Sequence, residues 1–178
     1  PILGEKDLVV LITQSGETAD TWAALREAKA KGAMTLASVN VVGSTIAREA
    51  DAVIYTHAGP EIGVASTKAY IAQLATLLLF AFYMARIRKK ISSENLKAIL
   101  REFKKMPEHC TKVLKEIKKF ERCAQKHYAR RSFLYLGRGC NYPTALEGAL
   151  KLKEISYAHA HGYAAGEMKH GPIALIDH

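Results

Sequence analysis

Six small or polar residues stand together near the start of the chain, in the order Thr-Gln-Ser-Gly-Glu-Thr at positions 13–18, hereafter the 13–18 loop. Hydroxyl and amide groups donate hydrogen bonds to phosphate oxygens, Gly16 lets a backbone approach closely, and free N–H groups at a helix start favour an anion. The loop therefore predicts a phosphate site. Ordinary helix capping by Ser or Thr explains the same residues equally well. The carboxylate of Glu17 would compete with phosphate unless it points away.

A second set of chemically active residues is Glu147, Lys151 and Glu154, spaced so that all three share one face of a helix. A carboxylate beside an ammonium suits proton transfer, and one carboxylate can move a proton between neighbouring carbons of an aldose or ketose. The spacing alone favours the alternative, a solvated Glu147–Lys151 ion pair.

A third set lies at 164–172, a stretch of small residues that carries Glu167 and His170 and ends in Gly-Pro. His170 titrates near neutrality and could exchange a proton with a sugar ring oxygen. Glu167, His170, His159 and His161 also suggest a metal site, but half a di-iron motif is weak support, and we predict no metal. The Gly-Arg-Gly at 137–139 lacks the third glycine of a dinucleotide fingerprint, so we expect no nicotinamide cofactor.

Alternating strands and helices must position the first of these sets. Apolar, β-branched runs predict buried parallel strands, and amphipathic stretches between them predict helices, the first ended by Gly32. This alternation indicates a doubly wound α/β sheet. The predicted strands are 8–12, 35–39 and 52–56, and the predicted helices are 18–31 and 44–49.

The second half of the chain starts another unit of the same kind. After a run of predicted helices, a new strand leads into the helix that carries Lys151 and Glu154. We therefore expect two incomplete α/β domains, with parallel sheets flanked by helices and a helical segment between them. The predicted helices are 64–88, 93–105, 109–128 and 143–158, and the predicted strand is 133–136.

Composition limits the classes of partner. The chain has 26 Lys and Arg against 17 Asp and Glu, a net charge of +9, concentrated between residues 86 and 131. No nucleic-acid recognition motif occurs there, so we favour solvated helices and predict no nucleic acid partner. The apolar stretch 69–85 is shorter than the roughly 20 residues of a membrane span, which predicts a core helix and no membrane. Three cysteines without Cys-x-x-Cys spacing indicate no disulfide framework, which fits a cytoplasmic protein.

Five motifs occur along the chain in a fixed order: TQSGETADT at 13–21, EIGVASTK at 61–68, LGRG at 136–139, the run 145–157, and AAGEMKHGP at 164–172. Together they resemble the isomerase part of the glutamine–fructose-6-phosphate aminotransferase family, over nearly the whole chain. The resemblance implies two sugar-isomerase (SIS) domains of flavodoxin-like α/β type, present here as the C-terminal part of the first (1–90), a helical connector (91–130) and the N-terminal part of the second (131–178).

The resemblance also implies a function and a set of roles. It implies binding of fructose 6-phosphate and its conversion to glucosamine 6-phosphate, without a metal or organic cofactor. It makes Glu154 the proton-transfer base, Lys151 its neighbour, and His170 the ring-opening histidine, supplied by the other subunit of a homodimer. The residues that match phosphate and sugar contacts are Gln14, Ser15, Thr18, Val64 and Ser66, with Thr13 where many members have Ser.

Parts of that family are not in this sequence. We expect the glutaminase domain, the opening strand and hydroxyl-rich loop of the first isomerase domain, and the tail lysine that forms a Schiff base to lie outside it, so that the chain does not use glutamine. Two alternatives stay open: a fructosamine-phosphate deglycase or plain phosphosugar isomerase, and a non-catalytic phosphosugar sensor. A sensor needs the loop hydroxyls but not Glu154.

Overall fold

A computed structural model describes residues 2–176 and divides the chain into two compact units, Pro1–Phe103 and Lys104–His178. Each unit contains parallel strands flanked by helices. The predicted α/β fold class is therefore confirmed.

The first unit contains a three-stranded parallel sheet in the order β1-β2-β3. Leu8 pairs with Met34 and Leu36 pairs with Ala52 along this sheet. Since all strands run the same way, the loops that follow β1, β2 and β3 share one edge. The elements of this sheet are β1 (Leu8–Thr13), α1 (Ala19–Ala30), β2 (Met34–Val39), α2 (Thr45–Glu49) and β3 (Ala52–Tyr55).

The core of the first unit lies between this sheet and helices α1 and α2. Aliphatic side chains from both layers meet there because each element buries its apolar face against the other. Burying a Leu or Ile side chain of this kind contributes about 1.5 to 3 kcal/mol. The cluster consists of Leu11, Leu25, Ala37 and Ile46, with Val9, Trp22, Ala50 and Val53 packed around it.

Two further helices complete the first unit, α3 (Lys68–Ile87) and α4 (Ser93–Phe103). The prediction of a core helix at 69–85 is wrong for the described structure: within α3 only Ala69 is buried. Of the apolar side chains, Ile71 remains 55% exposed and Leu74 48% exposed, although α3 packs on β2 and α4. With 20 residues and a mean hydropathy of 1.5, α3 is the one described helix long and apolar enough to cross a membrane. Packed helices of soluble proteins share these properties.

The second unit has a two-stranded parallel sheet in which Ser132 pairs with His159. Helix α7 packs on it closely at two glycines. A Cβ atom added to Gly148 would lie 2.9 Å from the Tyr135 ring, and one added to Gly162 would lie 2.8 Å from Leu146. Two 3-10 turns follow the sheet. The elements are α5 (Met106–Leu114), α6 (Ile117–His127), β4 (Ser132–Gly137), α7 (Asn141–Ser156), β5 (His159–Ala164) and the turns Ala165–Glu167 and Pro172–Leu175.

Two details of the second unit differ from the sequence prediction. The single helix predicted at 109–128 is divided into α5 and α6, with Lys115 and Glu116 between them. Strand β5 was not predicted, because its sequence His-Ala-His-Gly-Tyr-Ala is short of the β-branched residues that mark strands. It follows the end of α7 at Ser156, where the C-cap residue Tyr157 has a left-handed backbone (φ 58°).

Candidate functional site

The 13–18 loop connects the end of β1 to the start of α1. Inside it, the Gly16 N–H donates to Thr13 Oγ1 at 3.1 Å and the Glu17 N–H donates to Ser15 Oγ at 3.2 Å. Thr18 is the N-cap of α1, yet among the described residues its side chain makes no capping hydrogen bond. Its hydroxyl therefore stays available beside the free N–H groups of the first turn, the arrangement that favours an anion.

The loop is hydrogen bonded to the segment between β2 and α2 and to the first turn of α2. The N–H groups of Asn40 and Val41 both donate to the Gln14 carbonyl, at 3.2 and 3.3 Å. The Ile46 N–H donates to the Gly16 carbonyl at 3.0 Å. Gly16 has φ +69°, and a Cβ added to it would lie 2.0 Å from Ser44 Oγ. The loop is thus packed tightly against the entry to α2, and only glycine fits at its turn.

The Glu17 carboxylate is hydrogen bonded to the start of α2. One of its carboxylate oxygens accepts a hydrogen bond from the Thr45 N–H at 2.7 Å, at the start of α2. This bond, a further one with the Thr45 hydroxyl and the charge of Arg48 hold the pKa of Glu17 below its usual value, against a smaller opposing effect of burial. The carboxylate therefore has hydrogen-bond partners within the protein.

A cavity of about 310 Å³ opens at the same edge of the sheet. The Asn40 side chain shapes its rim: it donates to the Gly59 carbonyl at 2.7 Å and accepts from the Ala58 N–H at 2.9 Å. Asn40 and His57 were not among the predicted site residues, although both directly follow a predicted strand, where ligands of parallel sheets bind. The cavity is lined by Gln14, Asn40, Val41, His57, Gly59 and Pro60.

Val64 and Ser66 lie on a different loop, between β3 and α3. Val64 is 98% exposed. The loop is closed by Glu61, whose carboxylate accepts from the Ala69 N–H at 3.0 Å and from the Thr67 N–H at 3.4 Å. The hydrogen bond from the Ala69 N–H has the largest effect among the causes that hold the pKa of Glu61 below its usual value. The two predicted sugar contacts, Val64 and Ser66, thus follow β3, a strand of the same sheet as the 13–18 loop.

Helix α7 brings Glu147, Lys151 and Glu154 together as their spacing predicts. Lys151 Nζ lies 2.6 Å from a Glu154 carboxylate oxygen and 3.4 Å from one of Glu147. The Lys151 and Glu154 side chains are 21% and 29% exposed, so this is a half-buried pair rather than the solvated one that spacing alone favours. Burial lowers the pKa of Lys151, but the bond to Glu154 and the charges of both carboxylates outweigh it, and the pKa lies above the usual value.

His170 lies between the two 3-10 turns of the second unit and is exposed. Its N–H donates to the Glu167 carbonyl at 2.9 Å. Among the described residues, neither Lys151 nor Glu154 is hydrogen bonded to it. His159 and His161 stack along β5 with ring centroids 5.5 Å apart. Residues 2–176 contain no group of three or more His, Cys, Asp or Glu side chains that could hold a metal ion.

A larger cavity of about 1110 Å³ lies in the second unit, between α6 and the β4–β5 sheet. Its lining is mostly apolar and aromatic, with Cys123, His127 and Arg131 among its polar groups. None of the predicted catalytic side chains lines it. The three cysteines, Cys110, Cys123 and Cys140, are free and exposed.

The sequence matches a known protein family. The sequence model of the SIS domain family matches residues 1–83 and 128–178, which include the 13–18 loop, the α7 face and His170. The chain belongs to the SIS domain family. The predicted resemblance is confirmed.

Individual SIS proteins match over almost the whole chain. It is 56% identical over 177 residues to the isomerizing glutamine–fructose-6-phosphate aminotransferase of Chlorobaculum tepidum, covering 99% of this chain and 29% of that protein. It is 52% identical over 177 residues to the enzyme of that name from Methanosarcina acetivorans, with the same coverage of both chains. The chain is therefore homologous to an isomerase part of these aminotransferases and spans less than a third of their length.

A solved structure gives the same result for the fold. The C-terminal domain of glucosamine-fructose-6-phosphate aminotransferase from Francisella tularensis superimposes with a TM-score of 0.93 at 42% identity. The match covers 96% of this SIS chain and 48% of the other. The helices and parallel strands described above thus follow the arrangement of a SIS protein solved independently.

Proposed function

We propose that this SIS chain binds fructose 6-phosphate and contributes the isomerase chemistry that yields glucosamine 6-phosphate, in amino-sugar biosynthesis. The observation that carries the proposal is the 13–18 loop. It presents hydroxyls and free N–H groups at the start of α1, and Glu17, its one carboxylate, is bonded elsewhere. Such a site accepts the phosphate of a sugar phosphate without a lysine or arginine in the loop.

In this proposal the phosphate is bound by Ser15, Thr18 and Gln14, with Thr13 holding the loop through its bond from the Gly16 N–H. Val64 and Ser66 contact the sugar from the loop before α3. No metal or organic cofactor takes part. The 310 Å³ cavity beside Gln14 is roughly the size of the smallest ligand pockets, which suits a sugar phosphate.

The proton transfer is assigned to Glu154. Its carboxylate removes a proton from C1 of an open-chain imine and returns it to C2, and Lys151 fixes its position through the 2.6 Å ion pair. A phosphosugar sensor would have no use for this half-buried pair. His170 opens the sugar ring and belongs to the partner's site in a homodimer.

The remaining parts of the proposal are a cytoplasmic location and the domain boundaries 1–90, 91–130 and 131–178.

Calorimetric titration of the chain with fructose 6-phosphate tests the proposal. We expect binding of the phosphorylated sugar but not of fructose, and loss of roughly tenfold or more in affinity in the Ser15→Ala, Thr18→Ala double variant, because two donors to a charged group are removed. Circular dichroism confirms that each protein is folded. A short DNA duplex is the control for the basic helices; DNA binding that falls steeply with salt, without sugar-phosphate binding, would replace the proposal.

Product analysis separates the related reactions. The proposal requires glucosamine 6-phosphate when a nitrogen source is supplied. A deglycase would instead convert a fructosamine phosphate and water to glucose 6-phosphate and the free amine, and a sensor would bind the sugar phosphate and release it unchanged.

A further inference from the structure

We infer that Glu17 is a positioning residue of the sugar-phosphate site, which clamps the 13–18 loop to the start of α2 and so keeps its donors in the binding arrangement. The inference rests on the proposed function of the loop. Glu17 itself has no part in the proposed binding or proton transfer, and its carboxylate is bonded to the Thr45 N–H.

The clamp consists of two neighbouring residues of the loop. The Gly16 carbonyl accepts from the Ile46 N–H at 3.0 Å, and the Glu17 carboxylate accepts from the Thr45 N–H at 2.7 Å. Helix α2 has only five residues, and its own N-cap, Ser44, makes no side-chain capping bond. The loop therefore supplies the hydrogen-bond acceptors that α2 lacks, and each element fixes the other.

Glu17 supplies the charged part of this clamp. The Gly16 bond to Ile46 joins two neutral backbone groups. The Glu17 bond joins an ionised group to a backbone N–H, and such bonds are roughly twice as strong as neutral ones. Arg48 adds to it, since it donates to the Thr45 hydroxyl at 3.3 Å and bears the opposite charge.

Two effects of Glu17 on an anion oppose each other. Its negative charge near the loop repels phosphate, whereas its hydrogen bond holds the groups that bind phosphate. The carboxylate is exposed, so solvent and salt screen the repulsion. The hydrogen bond is short and local, and screening affects it less. The clamp should therefore dominate, and loss of Glu17 should weaken binding rather than strengthen it.

Three variants test the clamp by titration with fructose 6-phosphate. Glu17→Ala removes the acceptor and is expected to weaken binding about tenfold. Glu17→Gln loses the charge but keeps an oxygen that accepts from the Thr45 N–H, and should stay within about threefold of the parent. Glu27→Ala makes the same charge change on α1, where Glu27 pairs with Lys31 at 3.6 Å on the surface, and should bind like the parent.

The outcomes separate this inference from the proposed function. Tighter binding by both Glu17 variants would mean that repulsion dominates, and unchanged or equally weakened binding would mean that the hydrogen bond does not position the loop; each overturns the inference alone. A folded parent that does not bind the sugar phosphate overturns the proposed function and the inference with it. If Glu17→Ala melts below the assay temperature, Glu17→Asp, with a carboxylate one methylene shorter, replaces it and is also expected to weaken binding.

Discussion

The 13–18 loop and the charged face of α7 are built in opposite ways. In the loop, the groups offered to a ligand are backbone N–H groups and small hydroxyls, and their positions depend on bonds from Asn40, Thr45 and Ile46 across the sheet edge. On α7, the groups are three long charged side chains, and a single helix places them.

This difference determines what each region tolerates. A change of volume disturbs the loop, because a neighbouring element touches it where one methyl group would not fit. A change of charge disturbs the α7 face, because its half-buried ammonium lies between two carboxylates and loses a partner when one of them is neutralised. We therefore expect loop variants to lose binding and α7 variants to lose turnover.

The largest expected effect is that of Glu154→Gln, which tests the α7 side of this comparison. Removing a general base lowers turnover by about 100-fold to 10,000-fold, whereas affinity for fructose 6-phosphate should stay within about twofold. Deuterium uptake at C1 and C2 in D₂O, followed by NMR, reports the proton transfer without depending on the nitrogen donor.

Glu121→Gln, on the second unit's helix α6, makes the same chemical change away from α7 and is the control for Glu154→Gln. Equal losses of affinity and turnover in Glu154→Gln would contradict the assigned role and make Glu154 a structural residue.

The next effect, on the loop side, is that of Gly16→Ala. A left-handed backbone costs an alanine about 1 kcal/mol, and overpacking against Ser44 and Val39 adds about 1 to 3 kcal/mol. Gly43→Ala is the matched control, because Gly43 has a similar φ of +73° but no atom within 4 Å of its added Cβ. Denaturant melts and sugar-phosphate titrations should both separate the two variants; identical behaviour would mean that packing does not shape the loop.

The smallest expected effect is that of Asp51→Asn, near the amino end of β2. Asp51 accepts from the Thr35 hydroxyl at 2.7 Å and from the Thr35 N–H at 2.8 Å. These bonds, with one from Lys29, lower the pKa of Asp51 to about 2. Because the folded value lies below the unfolded one of about 3.9, the stabilisation is present above pH 4 and is lost as the pH falls towards 2.

Asp51→Asn should therefore lower the melting temperature by a few degrees at pH 7, and the difference from the parent should shrink between pH 4 and pH 2. Sugar-phosphate affinity should not change, since this end of β2 is remote from the loop. Thermal melts at several pH values measure the effect, with Glu27→Gln as the control. A difference that persists unchanged at pH 2 would rule out the titration of Asp51 as its cause.

The fold was predictable from local patterns because the strands of these parallel sheets carry continuous apolar runs, although in the described chain β1 buries one face and leaves Leu8, Val10 and Ile12 exposed on the other. That rule located β1, β2, β3 and β4 within one or two residues of their ends. It failed at β5, whose alternating His, Gly and small residues carry no such run. It also failed for the burial of α3, because apolar composition does not specify which surface, if any, covers a helix within the described chain.

The sequence by itself determined which residues share a face or a loop. The helical period places Lys151 beside Glu154, and the strand-to-helix boundary places Thr13, Ser15 and Thr18 together. Only the tertiary structure decided where Glu17 points and what lines the cavity beside Gln14. Those depend on Thr45, Asn40 and His57, which stand more than 20 residues further along the chain and approach the loop only because parallel strands bring their carboxyl ends to one edge.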